Sequence, residues 1–195
     1  MSVAKRRSVW TWEAYLAWEA DQPIRYELVD GEVYAIGGGT TEHDIICNNL
    51  RAALHGHLRG KPCRVQGPDL KVKAGSDGRY PDALIDCGPR ISGALHAQAP
   101  VAGFEILSKS TSWIDQGLKL RDFDATHSIQ TYALISQDEL RALVYTRNRD
   151  RRLDIQNAVL LKGEAAVIEI PDLGVALPFS LLYEGLEFDL LASGV

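Results

Sequence analysis

The chain has 195 residues and the composition of an ordinary globular protein, 46% hydrophobic and 24% charged. Its length predicts one domain over residues 1–195 that can bury a full core, beginning with a flexible basic tail over 1–10. The formal net charge of −5 argues against a protein that coats nucleic acid through bulk electrostatics. It does not exclude a nuclease, because active-site carboxylates themselves add negative charge.

The cellular compartment is predicted from targeting signals and cysteine usage. No apolar run approaches the ~20 residues that span a bilayer, and no apolar signal-peptide stretch follows the basic residues near the N-terminus. Cys47, Cys63 and Cys87 are odd in number, widely spaced and without metal-ligand spacing. We therefore expect a cytoplasmic protein with no membrane segment, in which the cysteines are buried free thiols.

Local signals predict where helices and strands begin. Thr11 and Thr40 or Thr41 are suitable N-caps for two helices. Asp30-Gly31 is a strong signal for a two-residue hairpin turn. In chain order we predict a helix over 11–19, strands over 25–29 and 32–36, a helix over 40–59, short strands over 63–66, 70–73 and 79–85, a strand over 101–107, a helix over 113–126, a strand over 130–135, a hairpin of strands over 140–146 and 153–156, and a strand and terminal helix after 166.

This order of elements predicts an α+β (mixed α/β) domain. An N-terminal helix and hairpin precede a central mixed β-sheet that is flanked by helices. The basic run 147–152 lies between the two strands of the last predicted hairpin. Charge runs are usually exposed, so a solvated hairpin tip is one interpretation of this run and a phosphate contact is the other.

The residues most informative about function are acids in two apolar strands. Asp82 lies in the strand over 79–85, and Glu105 is the lone acid of the strand over 101–107. Burying a carboxylate in an apolar strand is costly unless it is paired, and a divalent cation is a usual partner. Lys119 lies on the following helix. Its positive charge would suit an anionic substrate such as a phosphodiester.

Each candidate also has a purely structural interpretation. Asp82 follows a proline and can shape a turn, while Glu27 alternates with apolar neighbours in a hairpin and can face solvent. Asp115 and Lys119 lie four residues apart, which on spacing alone is an ordinary surface pair worth ~0.3–0.5 kcal/mol. His43 is a lone histidine near a helix start, and such histidines usually contact neither substrate nor metal.

Several motifs occur together in a fixed order along the chain. They are Tyr26-Glu27-Leu28-Val29-Asp30-Gly31-Glu32, then His43, then Pro81-Asp82, then Phe104-Glu105-Ile106-Leu107-Ser108-Lys109-Ser110-Thr111, followed by Asp115 and Lys119. This ordered set, over about residues 11–147, resembles the Uma2-type family of putative restriction endonucleases. The resemblance implies the PD-(D/E)XK nuclease superfamily and its restriction-endonuclease-like fold.

The resemblance also implies roles for individual residues. Asp82 and Glu105 would be ligands of Mg²⁺ or Mn²⁺, Glu27 an additional acid, and Lys119 the catalytic lysine. In many superfamily members the lysine lies two residues after the strand acid, but this chain has Leu107 there.

Two departures from the family pattern concern other positions. Lys109 stands where the family commonly has proline, and Phe123 where it commonly has tyrosine. Lys109 is therefore a rival for the role of catalytic lysine. His43, Asp115 and Lys109 are candidates for contacting the substrate or supporting the metal ligands.

The function implied by these residues together with the resemblance is a divalent-metal-dependent endonuclease acting on DNA. The metal activates water and neutralises the phosphate, and two sites in a homodimer would suit double-strand cutting. One alternative is a catalytically inactive nuclease fold that binds DNA or a protein partner. Another is a phosphoesterase acting on RNA or nucleotides. Fold analogy alone does not separate these alternatives.

Overall fold

The computed structural model describes residues 9–108 and 113–188, and for residues 113–115 the backbone alone. The helices are α1 Trp12–Glu19, α2 Thr41–Leu58, α3 Trp113–Ala125 and α4 Phe179–Leu182. The strands are β1 Tyr26–Val29, β2 Glu32–Ala35, β3 Arg64–Gln66, β4 Val72–Ala74, β5 Asp77–Arg79, β6 Ala83–Asp86, β7 Pro100–Leu107, β8 Thr131–Ser136, β9 Arg141–Thr146, β10 Ala158–Lys162, β11 Val167–Ile170 and β12 Val175–Pro178. None of the helices in the described ranges is long and apolar enough to cross a membrane.

The central sheet of the described chain is mixed, as predicted. Its strand order is β10-β9-β8-β7-β6-β3, with β7 and β8 parallel and the remaining neighbours antiparallel. Helix α3 supplies the crossover that two sequential parallel strands require. A smaller antiparallel sheet, β2-β1-β5-β4, contains the N-terminal hairpin. Strands β11 and β12 form a separate pair.

The central sheet has a hydrophobic core on each face, and successive side chains of β6 point alternately into the two cores. Ile85 belongs to the cluster that contains Leu50 of α2, and Leu84 belongs to the cluster that contains Phe123 of α3. Successive strand residues point to opposite faces, so neighbouring apolar residues on β6 serve both cores. Helices α2 and α3 thus cover the two faces of the sheet.

Both predicted N-caps and the predicted hairpin turn are confirmed. The Thr11 hydroxyl accepts a hydrogen bond from the Ala14 N–H, and the Thr40 hydroxyl accepts one from the His43 N–H. Val29 pairs with Glu32 across a turn whose Gly31 has φ of +78°. Positive φ is accessible to glycine without steric cost. Residues 1–8 of the predicted tail lie outside the described residues.

The single strand predicted over 79–85 is wrong, because the chain changes sheets within it. Strand β5 ends at Arg79 and pairs with β1 and β4, whereas β6 begins at Ala83 and pairs with β3 and β7. Pro81 lies in the break, where its missing N–H removes no ladder hydrogen bond. The segment between the strands joins the two sheets, and Asp82 lies in it.

The predicted strand over 153–156 is also wrong, since β9 pairs with β10 over 158–162 instead. The Asp124 carboxylate accepts hydrogen bonds from the Leu153 N–H and from the side chains of Arg147 and Arg152. The Arg147 side chain is only 3% exposed. Two arginines of the basic run therefore anchor the loop to α3.

The prediction of three free thiols is wrong for two of the cysteines. Cys63 precedes β3 and Cys87 follows β6, and these strands pair with Arg64 opposite Asp86. The register brings the two cysteines opposite each other, with Cα atoms 4.0 Å apart, and they form a disulfide. Cys47 is buried and free. Spacing along the chain did not indicate this cross-strand neighbour.

Candidate functional site

Five of the seven predicted site residues line one cleft, which we call the acidic cleft after Glu27, Asp82 and Glu105. Its volume is about 1050 Å³, and His43 and Lys119 also line it. The two sheets and helices α2 and α3 each contribute a side chain. Residues far apart in sequence thus converge between the two sheets.

Glu105 is the most deeply buried acid of the cleft. It lies in the interior of β7 and is 5% exposed. Its Oε2 accepts a hydrogen bond from Lys119 Nζ at 3.0 Å, whereas its buried Oε1 accepts none from the described residues. Loss of hydration is the main cause that raises the Glu105 pKa to about 8, and the nearby Lys119 ammonium opposes it.

Asp82 lies beside Glu105 because Ala83 pairs with Phe104 across β6 and β7. Its Oδ2 accepts a hydrogen bond from the Ile106 N–H at 2.7 Å. Its Oδ1 lies 3.3 Å from Nε2 of His43. The backbone of the Glu105 strand therefore fixes the orientation of the Asp82 carboxylate.

Lys119 contacts an acid from each of the two sheets. Besides its hydrogen bond to Glu105, its Nζ lies 3.6 Å from Oε1 of Glu27. The side chain is 14% exposed. Its two acidic contacts are inconsistent with the interpretation of Lys119 as an ordinary surface residue. Asp115 and Lys109, the other charged residues predicted here, have side chains outside the described residues.

Glu27 is buried rather than solvent-facing. Its Oε2 accepts a hydrogen bond from Arg79 Nη1 at 3.0 Å, and its Oε1 accepts one from the Tyr80 N–H at 3.0 Å. Arg79 also donates from Nε to Asp122 Oδ2 at 2.7 Å. These contacts hold Glu27 toward Lys119 and explain how two buried acids are tolerated.

Sequence reasoning missed Arg79 as a member of this group. The available signal is a basic residue directly before Tyr80-Pro81-Asp82, in a segment that the sequence predicts as one longer strand. Asp122 lies three residues after Lys119 and hence on a neighbouring part of the same helix surface. Recognising that buried Glu27 needs a cation would have pointed to Arg79.

His43 is positioned by the start of α2. Thr40 caps the helix through the His43 N–H, and Gly39 leaves room for the imidazole. A Cβ added to Gly39 would lie 2.7 Å from His43 Nδ1. The hydrogen bond with Asp82 is the main cause that raises the His43 pKa above its usual value.

His43, Cys47 and Asp82 form a cluster that can hold a metal ion. One ligand atom from each residue lies within 4.8 Å of the others. The Cys47 Sγ is 3.5 Å from His43 Nδ1. Burial is the main cause that raises the pKa of the Cys47 thiol to about 12.

The carboxylates of the acidic cleft fit a hard divalent cation. Glu105 Oε1 is a buried oxygen without a hydrogen-bond partner among the described residues, and an uncompensated buried carboxylate is costly. Asp82 adds a second carboxylate beside it. Mg²⁺ and Mn²⁺ prefer oxygen ligands and are commonly held by one or two carboxylates.

Comparisons with known proteins agree with the fold and the resemblance. Residues 12–179 match Uma2, a family described as putative restriction endonucleases. An uncharacterized protein from Synechocystis sp. is 31% identical over 180 residues, 90% of this chain and 92% of that protein. A second uncharacterized protein from the same organism is 24% identical over 174 residues, 87% of this chain and 97% of that protein.

A solved structure also matches most of the chain. The crystal structure of a putative nuclease belonging to DUF820 from Anabaena variabilis superposes with a TM-score of 0.70 at 18% identity. The match covers 89% of this chain and 97% of that chain. It confirms the predicted α+β, restriction-endonuclease-like fold.

Proposed function

Because the chain belongs to the Uma2 family of putative restriction endonucleases, we propose that it is a divalent-metal-dependent endonuclease that hydrolyses DNA phosphodiester bonds. One observation carries the proposal. The buried Glu105 carboxylate has one oxygen held by Lys119 and the other without a hydrogen-bond partner among the described residues, beside the Asp82 carboxylate.

Asp82 and Glu105 would hold Mg²⁺ or Mn²⁺. The Ile106 N–H fixes Oδ2 of Asp82, so Oδ1, which lies 3.3 Å from His43 Nε2, is the oxygen that would bind the metal. Oε1 of Glu105 would be the second ligand atom. A divalent cation bound there would lower the pKa of a coordinated water and neutralise charge on the phosphate.

Lys119 would act on the attacking water or on the phosphate. Its ammonium group is held between Glu105 and Glu27, so its position is set before a substrate binds. A preorganised positive charge stabilises negative charge that develops on phosphate oxygens in the transition state. Glu27 would keep Lys119 in place, and Arg79 in turn keeps Glu27 in place.

The arrangement of the cations favours an active enzyme over an inactive binding module. In an inactive site we would expect Lys119 to point away and an arginine to neutralise Glu105. Instead Lys119 contacts Glu105, and Arg79 pairs with Glu27 and Asp122. Glu105 thus contacts a lysine through Oε2, and its Oε1 would be the oxygen that binds a metal.

Cleavage of supercoiled plasmid in Mg²⁺ or Mn²⁺ tests the proposal. We would compare wild type with Glu105→Gln, using Glu169→Gln as a matched control at the exposed position of β11. We expect metal-dependent nicking that is lost in Glu105→Gln and retained in Glu169→Gln. Equal activity in all three proteins would reject the site.

RNA and nucleotide substrates belong in the same experiment. Cleavage of RNA or nucleotides alone would replace DNA as the substrate class. Binding of DNA without cleavage of any substrate would instead support the inactive binding module. We also propose a homodimer, because double-strand cleavage needs two sites; a monomeric mass by light scattering, in the presence of DNA and metal, would reject it.

A further inference from the structure

Two side chains of types that commonly bind metals lie one turn apart on the same face of α2. His43 and Cys47 are separated by four residues, the spacing that places two ligands on one helix face in helical zinc sites. The Cys47 Sγ lies 3.5 Å from His43 Nδ1. Neither side chain is among the proposed ligands of the magnesium site.

Asp82 completes a set of three from outside the helix. Its Oδ1 lies 3.3 Å from His43 Nε2, while its other oxygen is fixed by the Ile106 N–H. Ligands of one tetrahedral zinc ion lie about 3.3–3.6 Å apart when the bonds are about 2.0–2.3 Å long. One nitrogen, the sulfur and one carboxylate oxygen lie within 4.8 Å of one another, so the three side chains would have to close by at most about 1.5 Å to reach that spacing.

The chemistry of this set differs from that of the acidic cleft. Thiolate and imidazole are ligands for Zn²⁺ and related ions, whereas Mg²⁺ and Mn²⁺ prefer all-oxygen sites. An ion can reach the set through a second cavity of about 360 Å³, which His43, Cys47 and Asp82 line together with glycines 37–39.

We infer that His43, Cys47 and Asp82 form a binding site for a thiophilic divalent cation of the Zn²⁺ class. Three protein ligands leave a fourth tetrahedral position for water. Binding converts the Cys47 thiol to a thiolate and releases its proton to solvent. Zinc bound here would use the Asp82 carboxylate, which is also a proposed ligand of Mg²⁺. The expectation that the two ions compete rests on the proposed function.

Cobalt binding to the full-length protein tests the site without relying on catalysis. Co²⁺ replaces Zn²⁺ in such sites, and a thiolate ligand gives a charge-transfer band in the near ultraviolet. We expect this band in wild type at one equivalent of Co²⁺ and its loss in Cys47→Ser. The His55→Ala variant removes an exposed histidine from the same helix and serves as the control that keeps the band.

A titration with Zn²⁺ gives a second readout. We expect Cys47→Ser and His43→Ala each to weaken Zn²⁺ binding at least about tenfold, because losing even a residue that orients a metal ligand typically costs about 10–100-fold in affinity. The remaining two cysteines form the disulfide, so they supply no competing thiolate. Folding of each variant is checked by circular dichroism.

The outcomes separate this inference from the nuclease proposal. Absence of a thiolate band in folded wild type, or the same band in Cys47→Ser, would overturn the zinc site. If plasmid cleavage occurs, added Zn²⁺ should slow cleavage by the wild type. It should slow cleavage by Cys47→Ser to a smaller extent. If no cleavage occurs, cobalt and zinc binding still decide the inference.

Discussion

Arg79 joins Glu27 to the interior of the protein: its Nη1 donates to Glu27 at 3.0 Å while its Nε donates to Asp122 at 2.7 Å. The guanidinium side chain is 1% exposed, and both carboxylates are buried. One buried cation thus bridges an acid of the cleft and an acid of α3. Nearby Lys119 can then act toward Glu105 and the cleft rather than serve as the main counter-charge of Glu27.

Removing the Arg79 charge should cost a large part of the stability. In Arg79→Met, Glu27 and Asp122 lose their buried cation and, among the described cations, keep only the contacts with Lys119 and the half-exposed Arg121, respectively. Breaking a buried ion pair typically costs about 3–5 kcal/mol. Urea unfolding measures the loss. Arg141→Met removes an exposed arginine paired with Glu139 and should cost less than about 1 kcal/mol. A similar small loss in both variants would contradict the assigned role of Arg79.

Replacing Lys119 should slow cleavage more than it affects folding. Lys119→Met removes the preorganised charge, and loss of one such group typically lowers kcat about 10²–10³-fold. Single-turnover plasmid cleavage at saturating Mn²⁺ measures this effect. Lys162→Met, on exposed β10, is the control. Unchanged cleavage by Lys119→Met would show that Lys119 is not the catalytic lysine. Lys109 would then be the next residue to test.

Metal affinity should increase with pH up to about 8. Burial raises the Glu105 pKa to about 8, so below that pH the metal must displace a proton. Calorimetric titration with Mn²⁺ in two buffers of different ionisation enthalpy should therefore detect proton release. Glu105→Gln should remove this pH dependence together with most of the affinity. Metal binding that is independent of pH from 5 to 9 would contradict the assignment.

Deprotonation of Glu105 should also make the metal-free protein less stable as pH rises. The ordinary Glu105 pKa is 4.5 and the folded value is about 8, so between these values the folded state binds a proton that the unfolded state lacks. Stability then falls with rising pH across this window. Unfolding in urea with a chelator should show the decline, and Glu105→Gln should flatten it. A rise in stability over the same window would be the opposite of our expectation.

The orientation of His43 should depend on the lack of a side chain at Gly39. Gly39→Ala would place a Cβ 2.7 Å from the imidazole and displace it from Asp82, whereas a Cβ at Gly38 meets nothing within 4 Å. Asp82 raises the His43 pKa. NMR titration should therefore find the His43 pKa nearer its usual value in Gly39→Ala and unchanged in Gly38→Ala. Identical titrations in both variants would show that Gly39 does not position His43.

The parts of the site predicted from the sequence were those with a local signal. Glu105 is an acid in an apolar strand, and Asp82 follows a proline at a strand start. The caps at Thr11 and Thr40 and the turn at Gly31 depend on neighbouring residues, and these predictions were confirmed.

The missed parts depend on contacts between distant segments. Arg79 meets Glu27 and Asp122 over 52 and 43 residues of sequence, respectively. The disulfide joins cysteines 24 residues apart through the pairing of β3 with β6. Spacing along the chain does not reveal such neighbours, and a proline within an apolar run did not by itself reveal the change of sheet before Asp82.

The division of the candidate site between two sheets would link the proposed activity to the docking of the N-terminal hairpin. Asp82 and Glu105 are held by β6 and β7 of the central sheet, whereas Glu27 belongs to β1 of the smaller one. Local fraying of the smaller sheet would leave Asp82 hydrogen-bonded to the Ile106 N–H beside Glu105 but would withdraw Glu27 from Lys119. Metal binding should therefore survive partial undocking of the smaller sheet that already abolishes cleavage. The hairpin would then control activity without controlling metal affinity.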